Sequence, residues 1–337
     1  MPQGQESNVG GAIMSASAHL LGGPRTQNHF QCVCCRTRTT GGQRRACGEC
    51  GGLLIRPLDS SESNSDLVMA GRYRVLGRLA RTKMSDLFRV FDPQTGRLAV
   101  LKTINRLRAA VSVDVQRFWC EARAHFKFQH PCIAKVFDVG YLSDNSPYIV
   151  MELVDGLPLS QYLECRGPMG EAEVLQIGLQ MCDALSHVHE GGFVHCDVKP
   201  QNIMVVHSSD RSLSAKLIDF GVSLDHSRAS VRRGDFLGTL GFMSPEQIHG
   251  DEVGPGADIY ALGCTLYTLL TGAEPFGGNG YRVVAAHLLA AVPQLRTRRP
   301  GLSACVEVAI HRAMAKDPRD RFASMWDFRA ALGTALG

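Results

Sequence analysis

The sequence has little net charge, no long apolar run and no basic opening, and each absence removes a class of function. Lys and Arg number 36 against 32 Asp and Glu, a formal balance of +4 over 337 residues. Charge alone therefore nominates neither nucleic acid nor an acidic membrane surface as a partner. The most apolar of the long uncharged stretches, Ile259–Ala273, carries Tyr, Thr and Cys and is shorter than the ~20 residues a membrane helix needs. It is expected to be a buried core helix. The N-terminus reads Met-Pro-Gln-Gly-Gln-Glu, with no basic residue ahead of the weakly apolar stretch Ala12–Leu21, which is not the pattern of a secretory leader. The expectation is a cytoplasmic protein with no membrane partner.

Cysteine, in contrast, is plentiful. Of 12 cysteines, five lie within Cys32–Cys50 and the rest are scattered singly, as buried small hydrophobes often are. Without a leader, a disulfide framework loses its setting. Cys32-Val-Cys-Cys35 and Cys47-Gly-Glu-Cys50 form two C-x-x-C pairs separated by eleven residues. Each pair can chelate a metal through a tight turn, and two pairs complete a tetrahedron. The expected ligands are Cys32, Cys35, Cys47 and Cys50, with Cys34 as an alternative to Cys35. Zinc is expected, and iron stays open because all-sulfur tetrahedra suit both metals. The stretch 29–56 resembles zinc ribbons and rubredoxin knuckles, and so short a module can hardly fold without its metal. Arg36, Arg38, Arg44 and Arg45 permit nucleic-acid binding without requiring it; docking of a regulatory protein is the favoured role.

Composition divides the chain further. Residues 1–28 are rich in Gly, Ser and Gln with no apolar period and are expected to be disordered. A serine-dense polar run makes 57–70 a linker, leaving 71–337 as one domain. Its first half patterns as strands at Tyr73–Leu79, Leu87–Phe91, Leu98–Ile104, Ala134–Val139 and Tyr148–Leu153, with one helix over Val113–Phe128. Beyond Pro168 the period turns helical: Val174, Ile177, Met181, Leu185 and Val188 share one face, as do Met325, Phe328 and Leu332. A strand-rich half followed by a helix-rich half implies an α+β fold of two lobes with a cleft between them.

The chemistry concentrates in Val194-His-Cys-Asp-Val-Lys-Pro-Gln-Asn-Ile203, followed seventeen residues after Asn202 by Asp219-Phe-Gly221. Phosphoryl transfer from ATP needs an acceptor for the substrate's hydroxyl proton, oxygen ligands for Mg2+ and a cation on the phosphates. Asp197 fits the first role, Asn202 and Asp219 the second. Lys199 fits a charge-balancing role on the transferred group.

On these motifs the chain resembles the protein kinase superfamily, and in particular the bacterial Ser/Thr kinases, over about Tyr73 to Leu336. The resemblance implies a bilobal kinase fold, ATP and Mg2+ as cofactors and proteins as substrates. It makes Lys102 in Leu98-Ala-Val-Leu-Lys-Thr-Ile104 the phosphate-positioning lysine and Glu121 its helix partner. Pro147–Asp155 resembles the hinge, with Met151 as the gate to the rear pocket and Glu152–Val154 offering backbone groups to adenine. Leu76, Gly77, Leu87 and Val100 are the expected remainder of the nucleotide site. Glu246, Asp258 and Arg321 read as structural supports. Lys199 together with Thr239 is the Ser/Thr rather than the Tyr pattern.

The chain also departs from the family. The G-x-G-x-x-G loop that lets backbone N–H groups approach the phosphates is reduced to Gly77, which implies an insertion of ~three residues ahead of Ser85, at the third glycine's place. Arg81 and Lys83 are expected to decorate a longer hairpin. Val100 stands where alanine is usual, His125 replaces a packing aliphatic, and Cys196 replaces the arginine before the catalytic aspartate. The expected function is an active Ser/Thr protein kinase, and the alternative is a pseudokinase or scaffold with weakened ATP binding.

Overall fold

The computed structural model describes residues 67–82, 84–105, 112–207, 213–219, 224–225 and 240–336, and the backbone of three short strands nearer the N-terminus. Those strands are β1 (His29–Cys32), β2 (Arg38–Thr40) and β3 (Leu54–Ile55), an antiparallel sheet of order β2-β1-β3 in which Cys32 pairs with Leu54. Cys35, Cys47 and Cys50, and the expected disorder of residues 1–28, lie outside the described residues.

The small lobe is a six-stranded antiparallel sheet, order β4-β5-β6-β7-β9-β8. Its strands are β4 (Val68–Met69), β5 (Tyr73–Arg81), β6 (Ser85–Asp92), β7 (Arg97–Ile104), β8 (Val136–Tyr141) and β9 (Pro147–Glu152). Alternation along β7 sorts the side chains by parity. Ala99 and Leu101 join Tyr73, Val75, Val90, Tyr148 and Val150 on one face. Val100 and Ile104 join Ile149 and Met151 on the other, against Phe118 and Ala122 of helix α1 (Ser112–Lys127). Lys102 shares that second parity, so the strand aims it at the helix bearing Glu121.

Two differences from the sequence reading concern this lobe. Met69 pairs with Tyr73 and Val68 with Arg74, so the sheet begins inside the stretch read as linker. Gly77 lies in mid-strand opposite Arg89, and the hairpin tip falls at Thr82–Ser85, where Thr82 N–H donates to the Ser85 carbonyl at 2.8 Å. The expected insertion is therefore absent. Ala80, Thr82 and Ser85 carry the spacing of G-x-G-x-x-G with each glycine replaced by a small residue.

The large lobe is helical. Helix α2 (Leu159–Arg166) leads to α3 (Glu171–Glu190), whose Val174, Ile177, Met181, Leu185 and Val188 are all buried, as their spacing anticipates. A later helix, Gly256–Thr271, is buried from Ala257 through Leu270. That accounts for its lack of charge from Ile259 onward, since a helix surrounded by protein is apolar all round; Asp258 in its first turn is the exception. Its Thr265 and Thr268 hydroxyls donate to the Ala261 and Cys264 carbonyls one turn back, so their burial leaves no orphan donor. The C-terminal helix Met325–Leu336 packs Phe328 and Leu332 into the same core. Among the described residues, no helix is long and apolar enough to cross a membrane.

Candidate active site

The cleft-facing groups come from four places. Two are Lys102 on β7 and Glu121 on α1. The third is the loop after strand Phe193–Val194, where Pro200 opens a single 3-10 turn ending at Asn202. The fourth is the hairpin of Ile203–His207 with Leu213–Leu217, in which Ile203 pairs with Leu217 and Ile218 N–H donates to the Asn202 carbonyl at 3.0 Å. This hairpin is why seventeen residues of sequence collapse to neighbours: its two arms run side by side and deliver Asn202 and Asp219 to one end.

Lys102 is the hub. Its Nζ donates to Glu121 Oε1 and, at 2.8 Å, to Asp219 Oδ1. Lys102 and Glu121 are each 5% exposed, whereas the Asp219 side chain keeps about a third of its surface open. Burial raises the Glu121 pKa, and the Lys102 charge only partly offsets it. At Asp219 burial acts in the same upward sense, yet the Lys102 charge prevails and holds the carboxyl below its usual range. For Lys102 itself burial favours the neutral amine, but two carboxylates outweigh it and raise its pKa. One cation between a buried acid and a partly open one thus leaves Asp219 ionised and makes Glu121 the easier group to protonate.

A second cluster forms around Asp197. Lys199 Nζ donates to both its carboxylate oxygens, at 2.8 and 2.6 Å. Asn202 Nδ2 donates to Asp197 Oδ2 and to its backbone carbonyl, both at 2.9 Å. The amide is thereby oriented with its nitrogen on Asp197 and its oxygen turned away. Beneath the loop, Asp258 accepts the amide hydrogens of His195 and Cys196, each at 2.8 Å. Arg321 forks onto Glu246 at 2.7 and 2.8 Å, both side chains being buried.

At the expected hinge, Met151 pairs with Val100 across β7 and β9 and is 5% exposed. Glu152 is more committed than its sequence suggested: its N–H donates to the Lys135 carbonyl at 2.8 Å and its side chain pairs with Lys216 at 2.6 Å. The Val154 carbonyl accepts Gly156 N–H at 3.0 Å. Leu87 pairs with Ala80, next to the hairpin tip, and Leu76 and Gly77 lie farther back on β5. Gly238 and Thr239 fall outside the described residues, as do Ser223, Ser227 and Ser230.

Sequence reasoning missed two contacts. His189 Nε2 lies 2.7 Å from Asp258 Oδ2, and Gln247 Nε2 donates to the Cys196 carbonyl at 3.0 Å. His189 sits in the last turn of α3, where a histidine reads as a helix-dipole partner. Gln247 sits at N3 of a short capped helix, Pro245–His249, where a glutamine reads as half of a capping box. A local explanation masked both.

The chain matches the family described as the protein kinase domain over residues 73–327. It is 34% identical over 280 residues to the serine/threonine-protein kinase PknE of Mycobacterium tuberculosis, covering 83% of this chain and 49% of that one. It is 36% identical over 272 residues to Pkn1 of Myxococcus xanthus, covering 80% and 39%. The chain thus spans about half or less of the length of these curated relatives. Among solved structures, the PknI kinase domain of Mycobacterium tuberculosis, as a double mutant, superposes with a TM-score of 0.65 at 29% identity, covering 81% of this chain and 98% of that one. With its bilobal fold, its cleft clusters and these matches, the chain belongs to the protein kinase domain family.

Proposed function

We propose that this chain is a Ser/Thr protein kinase that transfers the γ-phosphoryl group of ATP to Ser/Thr hydroxyls of proteins in the cytoplasm. The carrying observation is the pair of clusters: Lys102 joined to Glu121 and Asp219, and Lys199 and Asn202 both turned onto Asp197. Asp197 orients the acceptor hydroxyl and takes its proton, while Lys199 stands beside it to balance charge on the phosphoryl group. Lys102, fixed by Glu121, positions the nucleotide phosphates. The oxygens of Asn202 and Asp219 are hard donors of the kind Mg2+ prefers, and the amide orientation of Asn202 leaves an oxygen for it. When bound there, Mg2+ would neutralise charge on the phosphates. Val100, Leu87 and Met151 supply an apolar wall for adenine. The Glu152 carbonyl and the Val154 N–H are its backbone partners, since the Glu152 N–H and Val154 carbonyl are otherwise engaged.

The pseudokinase reading is disfavoured because Lys102, Glu121, Asp197, Lys199, Asn202 and Asp219 are all retained and fall into two hydrogen-bonded clusters. Labelled ATP and a generic acceptor protein test the assignment. Lys102→Met and Asp197→Asn should each abolish transfer, with nucleotide binding weakened in the first and largely kept in the second. Transfer at the parent rate by Asp197→Asn would remove Asp197 as base.

The N-terminal sheet gives the cysteine module some support, since Cys32 ends a strand of a small antiparallel sheet and its C-x-x-C partner follows directly. The reading is that Cys32, Cys35, Cys47 and Cys50 hold one zinc or iron ion and that the module docks a regulatory protein. Elemental analysis should find close to one metal equivalent per chain, lost in a double Cys47/Cys50→Ser variant. A metal-free, folded module would overturn it.

A further inference from the structure

His125 lies one helical turn after Glu121 on the same face of α1, and its side chain is fully buried. Its Nε2 is 2.6 Å from the Ala134 carbonyl oxygen. A carbonyl only accepts, so the ring is the Nε2–H form. Burial keeps it neutral, pushing its pKa down to about 4.

Ala134 is itself tied to the other side of the cleft. Its N–H donates to the Leu217 carbonyl at 2.9 Å, and Leu217 N–H donates to the Cys132 carbonyl at 2.8 Å. Ile133 and Leu217 form an isolated parallel bridge. Leu217 is two residues before Asp219, and the intervening Ile218 bonds Asn202. A continuous hydrogen-bonded path therefore runs from the Glu121 helix through His125, Ala134 and Leu217 to the segment holding Asp219.

The geometry points to His125 as a positioning residue, a polar latch between the Glu121 helix and the strand feeding Asp219 that fixes both carboxylates on Lys102. The physical argument is one of direction. An aliphatic side chain at position 125 would fill the same space, but dispersion contacts tolerate sliding and small rotations of the helix. A hydrogen bond to one carbonyl is directional and weakens steeply off axis. Because the site is buried, an unpaired Ala134 carbonyl is costly in any arrangement that pulls the helix away. The latch thus opposes outward motion of α1, the motion that separates Glu121 from Lys102.

This inference rests on the kinase reading, and its test separates the two. The full chain, His125→Leu and His125→Gln are compared for initial rate against ATP concentration, for affinity toward a fluorescent ATP analogue and for thermal midpoint. Leu keeps the volume and removes the donor; Gln keeps an amide N–H at the reach of Nε2. Expected is at least a fivefold loss of kcat/KM or analogue affinity in His125→Leu and recovery to within threefold of the parent in His125→Gln. A merely space-filling role would not produce that order. A smaller loss in the Leu variant, or a Gln variant no better than the Leu one, overturns the latch. Should neither variant fold, the parent's histidine nitrogen spectrum decides: a slowly exchanging Nε2 proton on His125 is expected, and a ring protonated only at Nδ1 overturns the inference. A parent that binds the analogue but transfers no phosphate defeats the kinase reading, and the latch is then judged on affinity alone.

Discussion

Cys196 N–H donates to Asp258 Oδ1 at 2.8 Å, and this bond holds a non-glycine residue in the left-handed region, with φ 66°. Such a backbone costs about 1–3 kcal/mol and persists only when its surroundings enforce it. The same carboxylate takes the His195 amide hydrogen and faces the His189 ring. Burial pushes the Asp258 pKa up, but the hydrogen bonds from the His189 ring and the His195 amide overcome it, leaving the carboxyl below its usual value. Asp258→Ala should lower stability by about 3 kcal/mol or more and reduce transfer further than stability alone explains, because Asp197 loses its support. Urea unfolding and single-turnover rates measure the two effects. The folded pKa is depressed, so this stabilisation is present above the unfolded value of ~4 and is lost as pH falls through the lower folded value.

The side chain of the same Cys196 sets a second expectation. Its thiol points toward the Val194 carbonyl at 3.7 Å, and the residue packs with Val194, Val253 and Ala257. A buried thiol in an apolar pocket has no means of gripping a phosphate. Changing Ser223, Ser227 and Ser230 together to Ala should therefore cost less than about threefold in initial rate, about 0.7 kcal/mol of transition-state stabilisation. A drop of tenfold or more, with or without prior phosphatase treatment, would sink the idea. Cys196→Arg should not install phosphate control; it should destabilise the protein, since a guanidinium would enter that apolar pocket.

These two cases show what the sequence made legible. Motif order singled out Asp197, Asn202 and Asp219, and the structure hydrogen-bonds Asn202 to Asp197 while a hairpin brings the segment of Asp219 beside Asn202. Alternation assigned Lys102 to the face of Val100, and helical spacing found the face of α3. The phosphate hairpin was misread because register is a property of two strands. The β5–β6 pairing shifts between Val75 and Gly77 and again between Arg78 and Ala80, and bulges of this kind leave no mark in one strand's pattern. A glycine was taken to mark the loop, and it marks an irregular stretch of strand. The Val68–Met69 strand was hidden for a related reason: two residues have no period, and only Tyr73 and Arg74 across the turn make them a strand.

Buried histidines give the pH prediction. His125 and His287 are both fully buried, and burial pushes each pKa down to about 4. Tyr260 Oη is 2.8 Å from His287 Nδ1, and the Lys316 charge adds to the depression. Each ring stays neutral in the fold and protonates when unfolded near pH 6.5. The stability they contribute is complete above about 6.5 and is lost as pH falls toward about 4, on the order of 2–3 kcal/mol per ring. Glu121, whose pKa is raised, acts in the opposite sense over the same range. Urea midpoints at pH 7 and pH 4.5 should differ less in His287→Gln than in the parent, by about 1 kcal/mol or more. An unchanged difference would remove His287 as a source.

The last prediction concerns the hairpin tip that has lost its glycines. Glycine-rich tips bring backbone N–H groups near phosphates because no Cβ intervenes. Here the Thr82 hydroxyl organises the turn: its Oγ1 accepts N–H from Met84 at 3.2 Å and from Ser85 at 2.9 Å, and donates to the Ser85 carbonyl at 3.0 Å. This is a side chain mimicking a backbone turn. Two of those N–H groups are consumed internally, so the tip gains rigidity and gives up donors that a glycine tip offers to phosphate. Thr82→Val keeps shape and removes the hydroxyl. It should loosen the tip and raise the KM for ATP by about three- to tenfold, with kcat within about twofold, because Asp197, Lys199 and Lys102 are untouched. Thr82→Ser should restore the parent KM, since it returns the hydroxyl. If Val and Ser behave alike in steady-state kinetics against ATP, the hydroxyl has no part in nucleotide binding and the tip is held by β5–β6 pairing alone.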